Sequence, residues 1–188
     1  MKSMFENVKK FVNKSFENSV TNESSVHYEK TVYWVKKLKP EADEPILIAA
    51  YAHDIQRAFR KTNTEETFKN IEMNDPNFLK MHSEQGAKII SDFLRENNYD
   101  ESNVERVYKM VKNHETGGDE ESNLVKDADS LSYFECNAVK HVRETSKVIG
   151  KEKIKNKIMW MFNRITSQNA KKIAEPFYKK YLKLLDSL

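Results

Sequence analysis

Apolar residues along this chain recur at three- and four-residue spacing in most long segments, which is the period of a helix with one buried face. Phe5, Val8, Phe11 and Val12 mark an opening amphipathic helix. A second is predicted from about Ser24 to Leu38, with Ser24 or Ser25 as N-cap and Lys39-Pro40 as its stop. Pro45 suits a first-turn position and starts a third helix through the apolar run to Arg57 or beyond. Residues 61–75, KTNTEETFKNIEMND, are polar with little periodicity and read as a long connecting loop, of the kind that forms a lid or stays mobile. Asp75-Pro76 restarts a helix through His82 to about Asn97, and another spans Glu101 to His114, stopping before Gly117-Gly118. Ser122 is placed as the cap of the next helix, which is expected to continue to Gly150. Helices at Lys151–Ile165 and Ala170–Leu185 complete the set. With no strand-period run and no internal repeat, the expected fold class is all-α, a single compact helical domain over residues 1–188.

Composition adds exclusions. The chain is 38% hydrophobic and 32% charged, which suits a folded soluble protein. Thirty-two basic side chains nearly cancel 29 acidic ones, leaving a formal charge of +3, and the two signs are interspersed as on solvated helix faces. A nucleic-acid partner is therefore not expected. The one cysteine, Cys136, makes no internal disulfide and is too little sulfur for a thiolate zinc site; a reducing cytoplasm is the expected compartment. MKSMFENVKKFVNKSF lacks the continuous apolar core of a signal peptide, and no stretch approaches the roughly 20 apolar residues of a membrane span.

Candidate chemistry enters with LIAAYAHDIQRAF at 47–59, where an apolar run meets His53 and Asp54 side by side. A buried imidazole and carboxylate need partners. His27 in VHYEKTVYWV, His82 in MHSEQGAKII, His114 in VKNHETGGD, and Asp127 and Asp129 in LVKDADSLSYFE all sit on expected helices beside expected core residues. Side chains from facing helices of a bundle can converge on an ion in its interior. Mixed imidazole and carboxylate donors suit zinc, iron, manganese, cobalt or nickel better than calcium.

The ordered set His27, AHDI at 52–55, HSEQGAKI at 82–89, His114 and ADSL at 128–131 resembles the HD-domain superfamily of metal-dependent phosphohydrolases, over roughly residues 24–135. The flanking helices carry no motif. The resemblance implies one metal held by His27, His53, Asp54 and Asp129, and a second taken by His82 and His114 with Asp54 bridging. Its cofactor would be one or two divalent ions (Mn, Fe, Co, Zn or Ni, with Mg in reach). Such a pair activates a water and clamps a phosphoryl group for in-line displacement. Asp54 is then a catalytic candidate, and Arg57 is a second, placed to fork onto a phosphate. Lys30 is a weaker one, while Lys112 and Lys126 are assigned to solvent.

Departures from the family pattern narrow the substrate. Gln56 stands where the family often has glycine, and Arg57-Ala58-Phe59 replaces the Glu-Asp pair of the guanosine tetraphosphate hydrolases. GluThrGlyGly after His114 lacks the glycine-tyrosine-proline signature of cyclic-di-GMP phosphodiesterases. Asp127 competes with Asp129, since a two-residue helical offset turns them to nearly opposite sides. The expected function is hydrolysis of a nucleotide or another small phosphomonoester or phosphodiester. A di-iron oxygenase, represented in the same superfamily by myo-inositol oxygenase, and a metal-stabilised non-catalytic binding module are the alternatives. His141 is assigned to the surface or to packing, and Cys136 to packing as a small buried hydrophobe. The IMWMF run at 158–162 is assigned to core or to a homodimer face, and the basic C-terminal segment to a packing helix.

Overall fold

The computed structural model describes residues 3–21 and 25–188, so Ser24 lies outside the described residues. Among them every regular element is helical. Helix α1 spans Met4–Phe16, α2 Val26–Leu38 and α3 Glu44–Ala52. A 3₁₀ turn at Ile55–Phe59 and a short α4 at Thr64–Thr67 lead to the long α5, Pro76–Glu96, and to α6, Glu101–Lys112. Then come α7 at Glu120–Cys136, α8 at Ala138–Lys140, a π-helical turn at His141–Thr145 and α9 at Ser146–Ile149. Helices α10, Lys151–Asn163, and α11, Gln168–Asp186, finish the chain.

The expected helices are present, with four corrections. First, α3 does not run on to Arg57: Asp54 leaves the helical region at φ −99°, ψ 13°, and the backbone tightens into the 3₁₀ turn. Second, Asp119 rather than Ser122 caps α7, its Oδ1 accepting from the Ser122 backbone N–H. Third, that helix does not reach Gly150 unbroken. It stops at Cys136, and the chain regains a helical path through the π turn before Gly150 adopts φ 97°. Fourth, the 61–75 segment is anchored. Phe68 and Met73 are buried, and the Lys153 ammonium donates to the carbonyls of Phe68, Lys69 and Ile71 at 2.8, 2.9 and 3.0 Å.

Two apolar clusters hold the helices together. The first gathers Val8 and Val12 of α1, Tyr28 and Val35 of α2, Ile48 of α3, Ile90 and Leu94 of α5, and Val104 and Val107 of α6. The second gathers Ile154, Ile158 and Met161 of α10, Ala170, Ala174 and Leu185 of α11, and the loop residues Phe68 and Met73. Helix α7 runs through both, giving Val125 and Ala128 to the first and Leu131 and Phe134 to the second. Every residue from Val125 to Phe134 is buried, which is why this segment shows little amphipathic contrast in the sequence. Each fully buried Leu or Ile side chain stabilises the pair of clusters by roughly 1.5–3 kcal/mol. Of the IMWMF run, Ile158 and Met161 are core while Met159 is partly exposed.

Lys126 is not on the solvent side. It is buried and donates to Thr166 Oγ1 at 2.7 Å, beside Asp127, whose carboxylate accepts from the Thr166 and Ser167 backbone N–H groups at 2.9 and 2.7 Å. Together they pin the α10–α11 connection to α7.

Candidate metal centre

Three helices and two helix ends bring the motif residues together. α2 supplies His27, the end of α3 supplies His53 and Asp54, α5 supplies His82, the residues just after α6 supply His114, and α7 supplies Asp129. All six are buried. Adjacent residues on a helix point about 100° apart. The departure of Asp54 into the bridge region of backbone space, where active-site residues often sit, lets both side chains face one centre. Their His53 Nε2 and Asp54 Oδ2 atoms are 3.4 Å apart. Gly86 of α5 packs here, where a methyl group would meet the His53 carbonyl at van der Waals distance, 3.4 Å.

The donor atoms form two overlapping groups that share Asp54, namely His27–His53–Asp54 and Asp54–His82–His114. On one side His27 Nε2 lies 3.2 Å from His53 Nε2 and 3.7 Å from Asp54 Oδ2. On the other, His82 Nε2 lies 2.8 Å and His114 Nε2 3.8 Å from Asp54 Oδ1. Asp129 Oδ1 joins the first group, 3.1 Å from His27 Nε2 and 3.4 Å from His53 Nε2.

Each imidazole has its other nitrogen occupied. His27 Nδ1 meets Ser132 Oγ at 2.8 Å, and because that hydroxyl donates to the His27 carbonyl, the ring nitrogen is the donor of the pair. His53 Nδ1 donates to the Ala50 carbonyl at 2.9 Å and His114 Nδ1 to the Val111 carbonyl at 2.6 Å. His82 Nδ1 donates to Gln56 Oε1 at 2.8 Å, an oxygen that also accepts from Arg60 Nε. With each Nδ1 so engaged, the four Nε2 atoms point inward, as second-partner hydrogen bonds arrange them around metals. His27 Nε2 and His53 Nε2 face each other across 3.2 Å, and the buried His114 Nε2 makes no hydrogen bond. A cation in each group would take up these nitrogens, so the donor set fits a transition-metal site.

The electrostatics point the same way. Burial works against ionising Asp54, but Arg57, 3.0 Å from its Oδ2, and His53 hold its carboxyl well below the usual range. Burial alone would push His53 down, yet the Asp54 and Asp129 carboxylates outweigh it and raise its pKa to about 10. The pocket therefore calls for positive charge at that nitrogen. Burial takes His82 the other way, to about 4.

Asp129, not Asp127, is at the centre; Asp127 is spent on the α10–α11 turn. Sequence reasoning missed Arg164, at the end of α10. Its guanidinium grips Asp129 Oδ2, donates to Glu115 Oε2 at 2.5 Å and to Ser130 Oγ at 2.9 Å, and lies 4.5 Å from the Trp160 ring. Glu115, also buried, is held ionised against the pull of burial by His114 and Arg164. A lone arginine after an apolar run gives no local sign of this role. Gln56 could have been found: the residue standing in place of the family's glycine is the one that orients His82.

A family model described as "Domain of unknown function (DUF4202)" matches residues 7–183. The chain belongs to this family. No curated protein matches it. In structure, this DUF4202 member is similar to a protein described as a predicted HD superfamily hydrolase from an uncultured Thermotogales bacterium, at 19% identity and a TM-score of 0.61, over 97% of this chain and 89% of the other. At that identity the likeness shows the fold, which is the HD fold that the sequence motifs resemble. The motif residues of the DUF4202 chain form the buried His/Asp cluster that such a site needs.

Beside the cluster opens a cavity of about 750 Å³, with His27, His82 and Asp129 in its wall. Arg57 and Lys30 line it too, the latter paired with Glu135 at 3.2 Å. Phe78 lies parallel to the His82 ring with centroids 6.2 Å apart and closes one side. Cys136, assigned from sequence to packing, and His141, assigned to the surface or to packing, are half-buried and line the cavity. His141 Nδ1 lies 3.3 Å from the Tyr133 hydroxyl, and burial followed by the nearby Lys157 lowers its pKa to about 3, so it is neutral. No helix among the described residues is long and apolar enough to cross a membrane.

Proposed function

We propose that the chain is a metal-dependent phosphohydrolase acting on a nucleotide or another small phosphomonoester or phosphodiester. The observation that carries this reading is the inward convergence of four Nε2 atoms and two ionised carboxylates at the wall of a cavity that also presents guanidinium and ammonium groups. When bound, divalent ions supply Lewis acidity and an acidified water for attack at phosphorus.

The chain's own residues do the rest. His27, His53, Asp54 and Asp129 would hold one ion, and Asp54, His82 and His114 the other. Asp54 serves both because its Oδ2 faces the first group and its Oδ1 the second. Ser132, Ala50, Gln56 and Val111 engage the four Nδ1 atoms, so that each ring keeps its Nε2 toward the centre. Arg57, anchored to Asp54 and part of the cavity wall, is positioned to orient a phosphoryl oxygen. Phe78 and Phe68, edge to face at 5.0 Å, keep water from the His82 side.

Elemental analysis of the purified protein, paired with phosphate release from a panel of phosphorylated metabolites in added manganese, cobalt, iron or magnesium, tests this. At least one transition ion per chain and release from at least one compound are expected. A chain that takes up no metal under any of these conditions overturns the reading, and metal without release moves it to the oxygenase or binding-module alternatives.

A further inference from the structure

Lys157 of α10 lines the same cavity, yet it is only 7% exposed. Its ammonium sits 4.5 Å from the Trp160 ring centroid and 5.9 Å from that of Tyr133, and among the described residues it makes no hydrogen bond and no ion pair. An ammonium carries three N–H donors, and here none is taken up by the protein while the side chain opens onto the cavity. The acids whose field reaches it, Glu115 and Asp129, are both already gripped by Arg164. Arg164 also lies 4.5 Å from the Trp160 ring, so the one indole carries two cations. A lysine kept only for packing gains nothing from a second positive charge beside it. Its acceptor has to come from what fills the cavity, and the surrounding field selects an anion. Lys140 and Lys180, both exposed, add positive charge at the cavity wall.

We propose that Lys157 grips an oxyanion of the substrate, a phosphoryl oxygen, and so forms, beside Tyr133, the anion subsite of the cavity. The identity of that anion as phosphoryl rests on the hydrolase reading; the presence of an anion subsite rests on Lys157 alone.

Calorimetric titration of inorganic phosphate into the metal-loaded protein tests it, with wild type compared to Lys157→Met and Lys157→Arg and with metal content measured for each. Lys157→Met is expected to weaken phosphate binding by at least about tenfold at unchanged metal content, the scale of a charge-assisted hydrogen bond. Lys157→Arg should restore most of that loss. Equal phosphate affinity in wild type and Lys157→Met overturns the proposal, as does a metal-loaded wild type that binds no phosphate. Should Lys157→Met fail to fold, the side-chain resonances of Lys157, assigned against the Lys157→Arg spectrum, must shift on phosphate addition; no shift overturns it. The two readings fail separately. Lys157-dependent phosphate binding without turnover of any phosphorylated compound keeps the subsite and ends the hydrolase reading. Turnover with a phosphate affinity indifferent to Lys157 does the reverse.

Discussion

The two halves of the candidate site are built in opposite ways. On the side of α2, α3, α5 and α6, the groups facing the centre are imidazoles, each fixed by a hydrogen bond from Nδ1 to a nearby oxygen, and the Asp54 carboxylate, held by Arg57. On the side of α10 the groups are cations, Arg164 and Lys157, both stacked on Trp160. The first half concentrates lone pairs and negative charge, which is unfavourable in a buried place without a cation. Arg164 supplies permanent positive charge to Asp129 Oδ2 and leaves Asp129 Oδ1 facing the donor group. Most donor groups thus come from one cluster of helices, where Arg57 holds Asp54, and the charge that holds Asp129 comes from the other. Helix α7 runs between, lending Asp129 inward and Ser132 as a support.

The sharpest way to break this division is Asp54→Ala. Its two oxygens face different donor groups, so the variant should lose metal from both and turnover by at least about 100-fold. Elemental analysis beside the phosphate-release assay reads it out. Full metal content with full turnover would place the chemistry elsewhere in the cavity.

Next in size is Arg164→Leu. It leaves Asp129 and Glu115 buried without their counter-charge, and breaking such a pair from one side costs about 3–5 kcal/mol. Urea unfolding of the metal-free protein should show that loss, and added metal should narrow it, since a cation at Asp129 replaces part of the missing charge. A loss that metal does not narrow would mean that Arg164 and the donor groups are electrostatically independent.

The same division explains what could be read from the sequence. His27, His53, Asp54, His82, His114 and Asp129 are legible because ligand chemistry allows only a few residue types, and helical segments fix the order in which they return to one place. The helices themselves followed from the apolar period. α3 was overrun because the run ILIAAYA continues without a breaker into His53, and nothing local announces the bridge conformation of Asp54. The break after Cys136 was missed for a related reason: α7 is buried on all sides, so its apolar pattern carries no phase whose loss would mark an end. Arg164 and Lys157 were illegible because any arginine or lysine serves equally well on a solvated surface. Only the fold brings them 4.5 Å from one indole in a buried wall. Lys126 was misplaced by the same default.

Lys157→Met sharpens the cationic half and carries a smaller, stabilising effect. Burial, only partly opposed by Glu115, lowers the ammonium's pKa from 10.5 to about 8. Between those values the unfolded chain binds more protons than the folded one, so this group makes stability rise as pH climbs from about 8 to 10.5. Below that window the charged lysine is a net burden. The variant should therefore be more stable than wild type at pH 7, by on the order of 1–3 kcal/mol in urea unfolding, and should lose the rise above pH 8. A variant less stable than wild type at pH 7 would identify Lys157 as a structural cation held by the Trp160 face.

The smallest expected effect tests whether the hydrogen bonds behind the imidazoles matter as much as the ligands. Ser132 reaches from α7 to α2, accepting from His27 Nδ1–H and donating to the His27 carbonyl. Ser132→Ala removes both bonds and little volume, so the folded state should persist with a loss of about 1–2 kcal/mol. Metal affinity should fall about 10–100-fold, because His27 is then free to rotate or to carry its proton on the nitrogen that faces the ion. Competition with a chelator of known affinity measures this without reference to turnover. The expected drop belongs to the group containing His27, so the second ion, near His82 and His114, should be released at its wild-type concentration of chelator. If both ions leave together, the two groups are coupled through Asp54 more strongly than through their own supports. If neither affinity changes, packing against Tyr28 and His53, whose rings lie 5.6 and 5.2 Å from that of His27, already fixes the imidazole.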